Sequence, residues 1–171
     1  MNDESGVECD ISTIKKEGNE MYFVDRKELA KKLDYMNELL HIFHDQKNWE
    51  NKVEALALER LAQNLIESMI DVGNQMIDGF IMRDPGGYDD VIDILADESV
   101  LPSGDAQEIK EVIHLRKTLV QDYTEVDHGT LRKTIADHFG PLQKFSSRIE
   151  SYLEQEMGPV SAFSPDTDKK R

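Results

Sequence analysis

A single cysteine, Cys9, stands in 171 residues, so no intrachain disulfide can form and a secreted, disulfide-stapled scaffold is excluded. Basic residues are scarce too. Twenty Lys and Arg face thirty-five Asp and Glu, giving a formal charge of −15 and a pI near 4.7. That balance disfavours broad, sequence-blind binding to DNA or RNA, which needs a net basic face to displace counterions; a small basic cluster inside an acidic envelope is still compatible with it. No run approaches the roughly 18 apolar residues of a membrane helix. Mean hydropathy is −0.57, and no membrane partner is expected. Met1 to Gly6 are acidic and carry no apolar segment, which speaks against a secretory signal and, by elimination, for a cytoplasmic location. P-loop, dinucleotide fingerprint, HExxH and paired CxxC motifs are all missing, and no cofactor is expected. No segment alternates with the two-residue period of a strand, and no repeat occurs.

Helical periodicity is present almost everywhere between residues 21 and 157. Residues 1–20 are polar and aperiodic and read as a disordered N-terminal extension, or as an over-extended start with Met21 as initiator; residues 158–171 read as a flexible tail. Leu29, Leu33, Met36, Leu40 and Phe43 step by four and three, predicting a helix from about Asp25 to Gln46. A longer helix, about Glu50 to Met82, carries two neighbouring stripes, Leu58-Leu61-Leu65-Met69-Val72-Met76 and Ala62-Ile66-Ile70-Ile77-Ile81. So wide an apolar face is that of a central helix. Arg83-Asp84-Pro85-Gly86-Gly87 stops it. A short helix follows at Tyr88–Asp97, with Val91, Ile94 and Leu95 inward. A fourth is expected at about Gly104–Tyr123, with Ser103 as N-cap, Asp105 facing the helix dipole, and Ile109, Val112, Ile113, Leu119 and Val120 inward. The fifth spans about Asp127 to Met157, kinked or split at Gly140-Pro141, with Leu131, Ile135, Leu142, Phe145, Ile149 and Leu153 on its stripe. The expected fold is an all-α, up-and-down bundle of about five helices.

Four constellations are candidates for chemistry. His41 and His44 have a spacing at which two imidazoles can share a metal, but no third ligand is assignable, and a helix C-terminus favours histidine anyway; no metal is expected. Asp89, Asp90, Asp93 and Asp97 fit a solvated face better than a magnesium site. Glu59, Gln63, Glu67, Asp71, Asn74 and Asp78 form a polar stripe beside the apolar face of the second helix, so Glu67, Asp71 or Asn74, where partly buried, require a partner. Arg116 is the obvious one. It lies among inward-facing aliphatics on the fourth helix, and Tyr123, seven residues on, falls about 20° away around a regular helix. Its guanidinium is expected either to bridge to that stripe or to grip a phosphate. His114 projects from a different face of the same helix.

Around Arg116 the chain reads Leu115-Arg116-Lys117-Thr118-Leu119-Val120-Gln121-Asp122-Tyr123, with Val126-Asp127 just beyond. This resembles the signature of the HepT-like family in the HEPN superfamily: Arg, four residues, His, one residue, Tyr, then a Val-Asp pair. Pro85, Tyr88 and Asp90 with Ile94-Leu95-Ala96 and Val100-Leu101-Pro102 resemble the family's short third helix and its turn, and Tyr22-Phe23-Val24-Asp25 the start of its first. The resemblance covers about residues 21–155. It implies a homodimer of five-helix domains with a metal-independent ribonuclease site in the interface cleft. Attack is by the ribose 2′-hydroxyl on the neighbouring phosphate. It further implies a toxin of a type VII-like toxin–antitoxin system, partnered by a small MntA-like nucleotidyltransferase that modifies the motif tyrosine with AMP. Carried onto this sequence, the arginine is Arg116 and the modifiable tyrosine Tyr123. The histidine position is Gln121, which can hydrogen-bond but not titrate, so general acid–base catalysis worth about 10²–10⁴-fold is missing there. Lys117, Arg132 and Lys133 are the expected RNA-backbone contacts, and Glu67, Asp71 and Asn74 the polar support. The competing reading is a non-catalytic homodimer that binds a nucleotidyltransferase.

Overall fold

The computed structural model describes residues 13–15 and 21–158; the expectations for the rest of both tails lie outside them. Asp25 sits in an extended conformation and its carboxylate accepts from the backbone N–H of Lys27 and Glu28 at 3.1 and 3.0 Å, opening α1 (Arg26–Asp45). Asn51 and Glu54 make a reciprocal capping box that starts α2 (Lys52–Gly79). Then follow α3 (Tyr88–Asp97), α4 (Ser103–Val120), α5 (His128–Asp137) and α6 (Phe139–Met157). Asp127 caps α5 by accepting from Thr130 N–H at 3.0 Å, a bond that lowers its pKa. Ahead of α1, Thr13–Lys15 (β1) pairs antiparallel with Met21–Phe23 (β2), Ile14 opposite Tyr22. Three-residue strands are too short to display a period of two, which is why the sequence shows no strand signal there.

The apolar stripes are buried as the periodicity requires: Leu29, Leu33, Met36, Leu40 and Phe43 on α1, both stripes of α2 up to Ile77, and Leu131, Ile135, Leu142, Phe145, Ile149 and Leu153 on α5 and α6. α2 is the central element, packed on α1, α3, α4 and α5. At Gly73 it approaches α3 so closely that a Cβ there would stand 2.4 Å from Val91 Cγ1.

Several boundaries differ from expectation. The last helical segment is two helices. Pro141 has no N–H to offer the carbonyl of Asp137 and its ring would clash with it, so the chain turns at His138 (φ −105°, ψ 17°) and Pro141 occupies the first turn of α6, where no intrahelical donor is needed. α2 ends at Gly79 in a Schellman turn: Met82 N–H reaches Ile77 C=O at 2.9 Å and Ile81 N–H reaches Asp78 C=O at 3.3 Å. Ile81 therefore takes φ +54° and is 70% exposed instead of extending the stripe. α3 closes the same way, with Ser99 at φ +62° and Val100 N–H on Leu95 C=O at 2.8 Å. Ser103 is not the N-cap of α4; Pro102 holds that position with no side-chain bond, and Ser103 begins the helix proper. Val120, the final residue of α4, is exposed.

Candidate functional site

Three carboxylates of the α2 polar stripe are met by basic side chains from three different helices. Lys32 of α1 lies 3.5 Å from Asp71; Arg116 of α4 donates from Nε to Glu67 Oε1 at 2.7 Å; His128 of α5 lies 2.6 Å from Glu59. Sequence reasoning named Glu67 or Asp71 as the partner of Arg116, and the structure selects Glu67. Asp71 belongs to Lys32, while Asn74 is half-buried and makes no bond to Arg116.

A second contact fixes the guanidinium. Its carbon lies 4.1 Å from the centroid of the Tyr88 ring at the start of α3, a cation–π geometry. Clamped by a carboxylate at Nε and an aromatic face, Arg116 keeps its Nη1 and Nη2 donors unengaged among the described residues. Its side chain is 23% exposed, so that free edge is reachable from solvent. Two parallel donors on a rigid plane match the oxygens of a phosphate.

Tyr88 enters the sequence reading only as part of the family resemblance of the third helix, with no role in the site; that resemblance is the signal that pointed to it. Its neighbour Asp89 holds His114, Nε2 to Oδ2 at 2.6 Å. His114 and Arg116 leave different faces of α4, as expected, yet both come to rest on the first turn of α3. The other acids of that helix are engaged too. Asp93 accepts from Lys110 at 2.6 Å, and Asp90 takes a two-pronged grip from Arg83 at 2.7 Å on each oxygen. Asp97 lies 3.6 Å from Arg83. Arg83, and after it the Gly86 N–H, hold the Asp90 carboxyl down to about 2. The cluster is thus a set of ion pairs at a partly exposed surface.

The remaining motif residues do not gather round Arg116. α4 stops at Val120, so Gln121 is its C-cap and exposed, its N–H on Lys117 C=O at 2.8 Å. The chain then turns, and Tyr123 lies beyond the helix with its phenol outward, 65% exposed; the 20° relation to Arg116 fails because it assumed a continuing helix. Lys117 is exposed in the last turn of α4. Arg132 and Lys133 border a surface groove of about 610 Å³ with Trp49, Glu50 and His128, and Lys133 also pairs with Asp137 one turn on. His44 stacks on Phe139, and among the described residues no three His, Cys, Asp or Glu side chains are grouped to hold a metal ion. No described helix is long and apolar enough to cross a membrane.

The chain is 51% identical over 143 residues, 84% of its length and 99% of the relative's, to the YutE protein of Bacillus subtilis (strain 168), provisionally named an RNase. The solved structure of YutE, described as a cytosolic protein of unknown function, superposes with a TM-score of 0.81 over 84% of this chain and all of that one. A tri-AMPylated HEPN toxin of Shewanella oneidensis, solved in complex with its MNT antitoxin, shares the fold at a TM-score of 0.64 and 16% identity, over 72% of this chain and 96% of that one. The sequence model of the family described as ribonuclease HepT-like matches residues 32–149. With that span and the YutE likeness, this chain belongs to the HepT-like ribonuclease family.

Proposed function

We propose that the chain is a metal-independent endoribonuclease acting at a cleft between two copies of itself, the toxin of a pair whose other member is a nucleotidyltransferase. The observation that carries this reading is the state of Arg116: oriented by Glu67 and Tyr88, with its Nη edge free. In the reaction a ribose 2′-oxygen attacks the adjacent phosphorus as its proton passes to solvent water, which in turn protonates the leaving oxygen. The bond to the 5′-oxygen breaks, that oxygen gains a proton, and a 2′,3′-cyclic phosphate remains. Charge builds on the non-bridging oxygens, where the free Arg116 edge donates two hydrogen bonds that strengthen as the phosphorane forms. Gln121 orients a phosphate oxygen or a water without taking the proton, and Lys117 adds charge at the end of α4. Tyr123, outward on a turn, is reachable by a partner that transfers AMP to its phenol and releases pyrophosphate from ATP.

Gln121 favours a second reading on one specific ground: it cannot titrate. In that reading the dimer has become a binding partner of the nucleotidyltransferase and cleaves nothing. Incubation of the purified full chain with fluorescently end-labelled mixed RNA in EDTA decides between them. Cleavage by the wild type that disappears in Arg116→Ala supports the nuclease. Absence of wild-type cleavage supports the binding role, and its appearance in Gln121→His would locate the lost step at the proton-transfer group.

A further inference from the structure

Four rings form one continuous offset stack where the end of α1, the α1–α2 loop and the start of α6 meet. Trp49 to Phe43 is 6.3 Å between centroids, Phe43 to Phe139 is 6.0 Å and Phe139 to His44 is 5.8 Å, with planes 24–28° apart. The stack grades from buried Trp49 and Phe43, through half-buried Phe139, to exposed His44. A core stack ends against other apolar groups; this one ends on an imidazole in solvent. It is the break at His138 that starts α6 at Phe139 and so brings this ring into line.

The surface beside the stack is less acidic than the molecule as a whole. One groove is lined by His44, Lys47, Arg132 and the rings and contains no carboxylate. The adjoining one shares Trp49 and Arg132 and adds His128 and Lys133 against a single carboxylate, Glu50. Lys133 is answered by Asp137 and His128 by Glu59, so the cations left open to an anion are Arg132 and Lys47, side by side in the groove that holds no carboxylate. Arg132 faces both grooves and has no partner among the described residues. Lys47 uses one donor on His44 C=O at 2.6 Å and keeps the others.

We infer that this groove binds single-stranded RNA. Bases extend the ring stack at Phe139 and His44, and Arg132 and Lys47 hold the adjoining phosphates, the combination of π-faces and backbone cations by which single strands are bound. The ring stack favours a nucleic acid over an acidic protein segment, which would leave it unused. The inference rests on the ribonuclease reading and extends it by naming where the strand runs. Glu59, which holds His128 at the groove edge, and Glu67, which holds Arg116, are eight residues apart on α2, a rise of about 12 Å that a few nucleotides span.

Trp49 is the chain's one tryptophan, so its emission reports on the stack. Full-length protein is titrated with a 2′-O-methyl octaribonucleotide, which lacks the attacking hydroxyl and stays intact. A saturable change in emission is expected. Arg132→Ala and Lys47→Ala should each weaken binding about tenfold and lower the slope of log K against log salt by about one, circular dichroism confirming that both variants fold. Arg116→Ala should keep the emission change while losing cleavage of unmodified RNA. No emission change, or one indifferent to both groove substitutions, overturns the site, as does an equal response to a polyglutamate peptide. RNA cleaved without an emission change sinks the groove and leaves the nuclease; an emission change without cleavage sinks the nuclease and leaves the groove.

Discussion

At the scale of single residues, the Arg116–Glu67 pair combines orientation with modest stabilisation. The two side chains are 23% and 37% exposed, so a stranded Glu67 hydrates, and Arg116→Ala should cost only about 1 kcal/mol by thermal melting. A loss of several kcal/mol would mean that the guanidinium is chiefly a structural tie. Asp90 gives a pH signature. Its carboxyl is depressed to about 2 by Arg83, below the roughly 3.9 of an unfolded aspartate. The stabilisation is therefore complete above the unfolded value and fades as pH falls through the folded one. Melting curves of the wild type and Asp90→Asn should differ at pH 6 and converge between pH 4 and 2. Ile81, β-branched at φ +54°, holds a position that glycine takes without strain. Ile81→Gly should leave the melting temperature unchanged or raise it by the equivalent of up to about 1 kcal/mol. A fall of that size would show that Ile81 packs against something not apparent in a single copy.

At the scale of elements, the α2–α3 contact is the tightest test of packing. Gly73→Ala drives a methyl into Val91 Cγ1 and should destabilise by about 1–3 kcal/mol despite alanine's better helix propensity; Val91→Ala in the same chain should recover part of it. Helix existence and inward faces were legible because every helix keeps its period: each stripe of α1, α5 and α6 is buried where the spacing put it. The ends were harder. Schellman turns normally announce themselves with glycine, but here Ile81 and Ser99 fill the left-handed positions, so α2 read too long. α4 read too long because nothing between Val120 and Tyr123 is a helix breaker, and the turn is set by where α5 must dock on Glu59. The same blind spot hid Tyr88 beneath Arg116: an aromatic donating a ring face has no periodic signature, whereas an arginine among aliphatics has one.

At the scale of the whole molecule, α2 gathers the other helices twice, once by its apolar face and once through Glu59, Glu67 and Asp71, each answered by a basic side chain from a different helix. That the second helix is central was legible from its double stripe. Which helix answers which carboxylate was not, since the choice depends on packing between segments distant in sequence. One long-range bond carries a further meaning. Arg26 Nη1 donates to the carbonyl of Gly158 at 3.0 Å, joining the first turn of α1 to the residue that closes α6 across 132 positions. The beginning and the end of the helical domain are thus neighbours, and the connectivity is close to a ring. A circular permutant that joins residue 158 to residue 24 through a short glycine–serine linker, and opens between the exposed Gly86 and Gly87, should fold with the circular dichroism of the parent.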